Sequence, residues 1–316
     1  MKKKPLIILT GPTAVGKTKA SIGLAKAVDG EIISADSMQV YRHMDIGSAK
    51  IKPEEMEGIP HHLIDVLEPD DEFHVVKFQQ LAKKAMREIW ERGHIPIVTG
   101  GTGFYIQALL YDIDFDENEK EDACRKELEA YAREHGAEAL QEKLALVDPA
   151  SAEMIHPNNI KRVIRALEFY EQTGKRISEH NETQRQRESP YAFAYFVLTD
   201  DRAHLYERIN RRVDQMIEEG LGNEVQALKD KGYTKQLVSM QGLGYKEILD
   251  YLDGNCTLEE AIYTIKRDTR HFAKRQLTWF KRERDVIWIN KQSFGYDAEQ
   301  ILDEMLSKLP WKAEKK

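Results

Sequence analysis

The chain has 316 residues, 41% hydrophobic and 32% charged, the balance of a soluble globular protein with room for one large domain or two smaller ones. A net charge of −7 argues against indiscriminate nucleic-acid binding but leaves room for a local basic surface. Cys124 and Cys256 have no neighbours at metal-ligand or redox spacing, and the apolar run after Met1–Lys4 is too short for a signal peptide or a membrane span, so a cytoplasmic protein is expected.

Residues 6–10, LIILT, read as a first strand, and TKASIGLAKAV has helical character. Between them GPTAVGKT, residues 11–18, matches G-x-x-x-x-G-K-[ST], and strand–loop–helix is the context that makes this pattern a phosphate-binding loop. Gly11, Pro12, Thr13, Ala14, Val15 and Gly16 form the loop. Its N–H groups and the helix N-terminus converge where the dipole favours an anion. Lys17 adds a point charge and Thr18 can place its hydroxyl on Mg2+, so a di- or triphosphate ligand is expected.

EIISAD, residues 31–36, is a second strand that ends on Asp36, on the same rim as the loop. Asp36 there either accepts a proton from a substrate nucleophile or caps the segment that follows. With an ordinary pKa of about 3.9 it would orient a nucleophile and take its proton late. His61 and His62 read as structural, because neighbours on a strand point to opposite faces. Residues 75–93 carry Phe78, Leu81, Ala85 and Ile89 at helical spacing, with Gly93 as a stop. HIPIVTG, residues 94–100, is another buried strand. The GGTG turn at 100–103 then either turns the hydroxyl and N–H of Thr102 toward the phosphate crevice or is a tight strand-to-helix turn.

From about Asp116 to residue 189 the chain is rich in Glu, Lys, Arg and Ala and holds no strand-like run, which predicts a helical insertion. YAFAYFVLT, residues 191–199, resumes the sheet and DVIWIN, residues 285–290, is its last strand. An α/β core of 1–115 and 190–316, with a parallel sheet, is therefore interrupted by 116–189. In residues 205–221, Arg208 and Arg212 share a helical face and could fork onto phosphate oxygens. Pairing of the Arg208, Arg211 and Arg212 cluster with Glu207 and Asp214 is the alternative. Two basic stretches stand out. One spans 158–187 and includes Lys161, Arg162 and Arg165. In the other, 266–284, Ile265, Phe272 and Trp279 suggest one buried seam, with Arg267, Arg270 and Lys274 on another face. A basic ridge suits a polyanion such as RNA; a solvated amphipathic helix is the alternative. The tail WKAEKK is expected to fray.

GPTAVGKT, ADSMQVYRHMDIGSAK, GIPHHLIDV, VTGGTGFYIQALL, NNIKRVIRALE, RINRRVDQMIEEGL and QGLGYKEILDYL, in this order, resemble the bacterial tRNA dimethylallyltransferase family, also called tRNA isopentenyltransferases. The resemblance implies a P-loop NTPase-like core and prenyl transfer from dimethylallyl diphosphate to the exocyclic amine of the adenosine just 3′ of the tRNA anticodon. It also implies that residues 11–18 hold the diphosphate of the donor. Lys17, Arg212 and Thr18 with Mg2+ would stabilise that leaving group, Asp36 would accept the amine proton, and Thr102 would position donor and base. Asp36, Ser37, Met38, Gln39 and Thr102 would meet the RNA, with Gln39 reading the adenine edge. Lys161, Arg162, Arg165, Arg270 and Lys274 would grip the anticodon arm. A monomer is expected.

Two rivals come from other classes. A P-loop small-metabolite kinase shares the loop and an Asp after the second strand, but does not require GGTG, the insertion or the basic helix. An RNA-binding clamp without covalent chemistry would bind tRNA and leave its mass unchanged. A GTPase would need N-K-x-D, and NKQS at 290–293 lacks the Asp.

Overall fold

The run Leu6–Leu9 is fully buried, which requires cover on both faces of its strand. It lies in β1 (Lys4–Thr10), which joins β2 (Gly30–Ser34), β3 (His61–His62), β4 (Ile95–Gly100), β5 (Tyr191–Thr199) and β6 (Val286–Asn290) in one parallel sheet ordered β3-β2-β4-β1-β5-β6. The protein is described by a computed structural model covering residues 3–115 and 121–311. The expected boundary at Asp116 and residues 312–316 of the tail lie outside the described residues. Two residues are too few to show a period, and β3 is the strand that the sequence pattern does not delimit.

Register sets the rim. Thr10 lies beside Gly100 and Val197, and Ser34 beside Thr99. The carboxyl ends of β1, β2 and β4 therefore finish level, and the rim is stitched by Thr10 Oγ1 donating to the Gly100 carbonyl (2.6 Å) and Ala35 N–H to that of Thr99 (2.7 Å). The chain leaves β1 toward β2 on one side and later returns to β5 on the other, so β1 ends at the switch point where open α/β sheets bind ligands.

Helices α1 (Lys17–Val28), α2 (Val75–Glu91) and α3 (Gly103–Leu110) belong to the first half of the core. Contacts divide the chain into two compact units, one of residues 1–110 and 190–316 and one of 111–189. The second unit holds α4 (Glu121–Val147), broken at Gly136, α5 (Pro149–Met154), α6 (Ile160–Thr173) and α7 (Ile177–Gln186) around Leu128, Leu140, Leu144, Val163, Ile164 and Leu167. Buried Asp148 ties α5 to α7. Burial opposes its charge, but hydrogen bonds from the hydroxyls and N–H groups of Ser178 and Ser151 outweigh that and hold its pKa below the ordinary value.

The first unit resumes with α8 (Arg202–Glu218), α9 (Leu221–Asp230), α10 (Tyr245–Leu252), α11 (Leu258–Phe280) and α12 (Ala298–Ser307). The seam expected on α11 is rotated. Ala261, Ile265, Ala273, Gln276 and Phe280 are the buried residues, whereas Phe272 and Trp279 are only half-buried. A straight helix drifts about 20° per heptad, so a seven-residue repeat slides toward the edge of the buried face. Among the described residues no helix is long and apolar enough to cross a membrane.

Candidate active site

Three cations hold the carbonyls of the phosphate loop. Lys17 Nζ donates to the carbonyls of Gly11 (3.0 Å) and Pro12 (2.9 Å), Arg208 Nε to that of Ala14 (2.8 Å), and Lys291 Nζ to that of Val15 (3.0 Å). A planar trans peptide turns its N–H away from its own carbonyl, so holding the Val15 carbonyl aims the Gly16 N–H to the opposite side. In front of the loop lies a cavity of about 420 Å³ lined by Lys17, Thr18, Asp36, Gln39 and Ser48, by Arg208, Arg211, Arg212 and Gln215 of α8, and by Phe272 and Gln276 of α11.

Asp36 caps the turn that follows it and also lines the cavity. Its Oδ1 accepts the N–H groups of Met38 (2.8 Å) and Gln39 (3.4 Å), fixing the turn after β2, while the residue lines the cavity with Lys17 and Arg212 as charged neighbours. Gln39 reaches the same wall, but its amide is engaged at both ends. Oε1 accepts from Ser34 Oγ (3.0 Å), and Nε2 donates over longer distances to the carbonyls of Ala49 (3.3 Å) and Ser48 (3.5 Å). Met38 packs where a Cβ on Gly242 would stand, which joins the DSMQVY and QGLGYKE segments, and Ser37 is half-buried between its neighbours in sequence.

The three arginines that α8 presents to the cavity divide their work. Arg208 braces the loop, Arg211 is exposed and paired with Glu207 (2.7 Å), and Arg212 is turned inward beside Lys17 and Asp36. Burial first and the Arg212 charge second bring the Lys17 pKa down to about 8, against the opposing pull of Asp36. Arg212 is lowered too, by burial and by Arg208, against Asp36. Crowded cations short of counter-charge form a site that an entering anion relieves.

The GGTG turn corrects an expectation. The Thr102 N–H does not face the crevice; it donates to the Ala35 carbonyl (3.3 Å), leaving the hydroxyl, which makes no hydrogen bond among the described residues. The turn residue on the cavity wall is Gly101. A Cβ on Gly101 would overlap Gln276 Nε2, and one on Gly103 would overlap the Trp279 ring, so α11 dictates both glycines by close approach. Gln276 is the functional residue that motif reading misses. Its Oε1 accepts the Thr13 N–H (2.9 Å) and its Nε2 donates to the Gly101 carbonyl (3.0 Å), so one buried side chain joins the phosphate loop to the second turn. The signal available in sequence is a glutamine in register with Ala273 and Phe280, a polar group at a core position that must have partners.

The expected RNA contacts fall out unequally. On α11, Lys274 is exposed, but Arg270 Nη1 donates to Asn210 Oδ1 on α8 (2.6 Å) and Arg267 pairs with Asp268 (2.7 Å), so the ridge is partly internal bracing. On α6, Lys161 and Arg162 are exposed, whereas Arg165 lies 3.9 Å from buried Glu168, which Arg125 holds through two bonds. His61 and His62 are structural. The first lies against the Ile59 carbonyl (2.8 Å), and the second joins Glu31 (2.7 Å), which also binds Arg92.

A parallel sheet whose switch-point strand opens into a cation-held phosphate loop, with a carboxylate just past the end of β2, two strands away, defines the P-loop NTPase-like class. The profile described as IPP transferase matches residues 39–283, and that of isopentenyl transferase matches residues 4–68. The chain is 64% identical over 303 residues to the tRNA dimethylallyltransferase of Lachnoclostridium phytofermentans, covering 96% of each. It superposes with a TM-score of 0.74 on the tRNA isopentenylpyrophosphate transferase of Bacillus halodurans, 48% identical and covered over 99% of both chains. It also superposes with a TM-score of 0.82 on a eukaryotic dimethylallyltransferase acting on tRNA, 31% identical, covering 99% of this chain and 82% of that one. The chain belongs to the tRNA dimethylallyltransferase family. It is a transferase, and these relatives remove the support for a metabolite kinase.

Two outcomes test the geometry. With Lys17 losing its charge above pH about 8, kcat/KM for a diphosphate donor falls as pH rises through that value, as a pH profile will read. Gln276→Glu sets a carboxylate oxygen against the Gly101 carbonyl and misplaces both turns, which lowers the same parameter by about 10²-fold, measured against a melting temperature that reports folding.

Proposed function

We propose that this chain transfers the dimethylallyl group of dimethylallyl diphosphate to the exocyclic amine of the adenosine immediately 3′ of the tRNA anticodon. The observation that carries the reading is the meeting of Lys17, Arg212 and Asp36 on one cavity at the carboxyl ends of β1 and β2. The amine attacks the allylic carbon. As the new C–N bond forms, the carbon–oxygen bond breaks with its electron pair going to diphosphate, and the amine proton passes to Asp36.

An aromatic amine is a poor nucleophile, so the rate must come from alignment and from stabilising the leaving group. Lys17, Arg212 and the N–H groups at the start of α1 supply fixed positive charge where the diphosphate departs. The Thr18 hydroxyl lines the cavity and makes no hydrogen bond among the described residues, and no cluster of three or more His, Cys, Asp or Glu suited to a metal occurs among them. Such a site fits magnesium held by Thr18 and the donor's own phosphate oxygens. When bound, the ion neutralises charge on the leaving group.

On the acceptor side the base must leave its stack, which a single-stranded loop permits. The weaker Nε2 bonds of Gln39 are those it would exchange for the adenine edge. The Thr102 hydroxyl would help to position donor and base. Lys161 and Arg162 of the insertion and Lys274 of α11 would contact the backbone of the anticodon arm. The chain acts as a cytoplasmic monomer in this reading.

Intact mass of anticodon-arm RNA after incubation with protein, magnesium and dimethylallyl diphosphate tests the proposal. A gain of one dimethylallyl group, absent from a parallel tube with ATP, is expected. An unchanged mass despite tRNA binding would favour the clamp. Asp36→Asn in the same assay should lower turnover by about 10²–10⁴-fold with donor binding kept.

A further inference from the structure

The cavity has one large apolar side chain on its wall, and the proposed function does not use it. Thr13, Lys17, Asp36, Arg212 and Gln215 make the lining polar, yet Phe272 reaches it from α11. This aromatic is not part of the buried set of its helix, and its neighbour Arg275 stands 5.8 Å from the ring centroid, leaving the ring half in solvent. Gln276, one helical turn further on, fixes where Phe272 sits relative to the phosphate loop through its bonds to the Thr13 N–H and the Gly101 carbonyl. Gln276 thereby ties this stretch of α11, and Phe272 with it, to the cavity that Lys17 also lines.

We infer that Phe272 is the wall against which the five-carbon tail of the prenyl donor packs, with the diphosphate on the phosphate loop. The inference rests on the prenyl-transfer reading. A dimethylallyl tail left in a polar, wet cavity gains nothing from burial; against an aromatic face it removes apolar surface from water on both sides. The same contact orients the allylic carbon, since a donor held only by its diphosphate can swing its tail about the carbon–oxygen bond. Phe272 thus contacts substrate and separates a prenyl diphosphate from bare diphosphate, to which Lys17 and Arg212 respond equally.

The test compares wild type, Phe272→Ala and Phe272→Leu for kcat/KM of dimethylallyl diphosphate at saturating anticodon-arm RNA, with the inhibition constant of inorganic pyrophosphate as a tail-less probe. Phe272→Ala should lose about 10- to 100-fold in kcat/KM for the donor while pyrophosphate inhibition stays within about twofold, and Phe272→Leu, which keeps apolar bulk, should retain most of the activity. Equal losses toward donor and pyrophosphate would overturn the assignment, because Phe272 would then only hold the cavity's shape. A rise in the KM of the RNA with the donor unaffected would also overturn it, giving the ring to the base. Wild-type protein that makes no prenylated RNA would remove the prenyl-transfer reading itself, and this inference with it.

Discussion

Everything at the site depends on how the phosphate loop's peptide groups are turned. A loop of small residues has no intrinsic reason to aim its N–H groups one way, and burying polar backbone without partners is costly. Here the carbonyls of Gly11, Pro12, Ala14 and Val15 are all held by the cations Lys17, Arg208 and Lys291. Those cations come from the loop's own helix, from α8 and from the segment after β6. Loop orientation is therefore a tertiary property. Two distant segments must pack against the loop before residues 11–18 can present an anion site, and an arriving anion relieves the repulsion among their cations. The depressed pKa values of Lys17, Arg212 and Lys291, each caused first by burial and then by a neighbouring arginine, express that unrelieved charge.

Helix α11 is the second organising element. Phe272, Gln276 and Trp279 lie on one side of it and meet, in turn, the cavity, the two turns that frame it, and Gly103. Lys274 is exposed on the same helix. Any displacement of α11 would therefore be carried to the phosphate loop and the second turn through the buried Gln276 amide. Gln276 suits this duty because its two bonds have opposite polarity. An N–H must be accepted and a carbonyl must be donated to, and a carboxamide is the side-chain group that does both.

What the sequence made legible follows from range. The phosphate loop, the strand ends and Asp36 are set by contiguous residues, and they stand where period and motif place them. The GGTG turn was visible as a turn, but its glycines answer to Gln276 and Trp279, more than 170 residues away in the chain. No local pattern carries that. Lys291 illustrates the same limit. As part of NKQS it fails a nucleotide-specificity motif, yet it stands behind the loop as a brace. Charge on a helix marks Arg270 and Arg165 as candidate RNA contacts without showing that each also leans on a neighbouring polar group. Charge counts a residue as polar and says nothing about which polar partner claims it.

The charge balance of the cavity sets the chemistry it can serve. Lys17, Arg208, Arg211 and Arg212 line it against the single carboxylate of Asp36. A site for a neutral ligand would pair these groups internally, and a site for proton abstraction would bury its carboxylate away from cations to raise its pKa. Asp36 instead lines the same cavity as these cations, with Lys17 and Arg212 as charged neighbours. In the proposed reaction the carboxylate would take a proton from an amine that becomes acidic only as its nitrogen bonds to carbon, and the cations would meet the charge on the departing diphosphate at the same moment. The chain's net charge of −7 belongs to the rest of the surface, where it leaves a polyanionic partner few places to settle other than the basic positions.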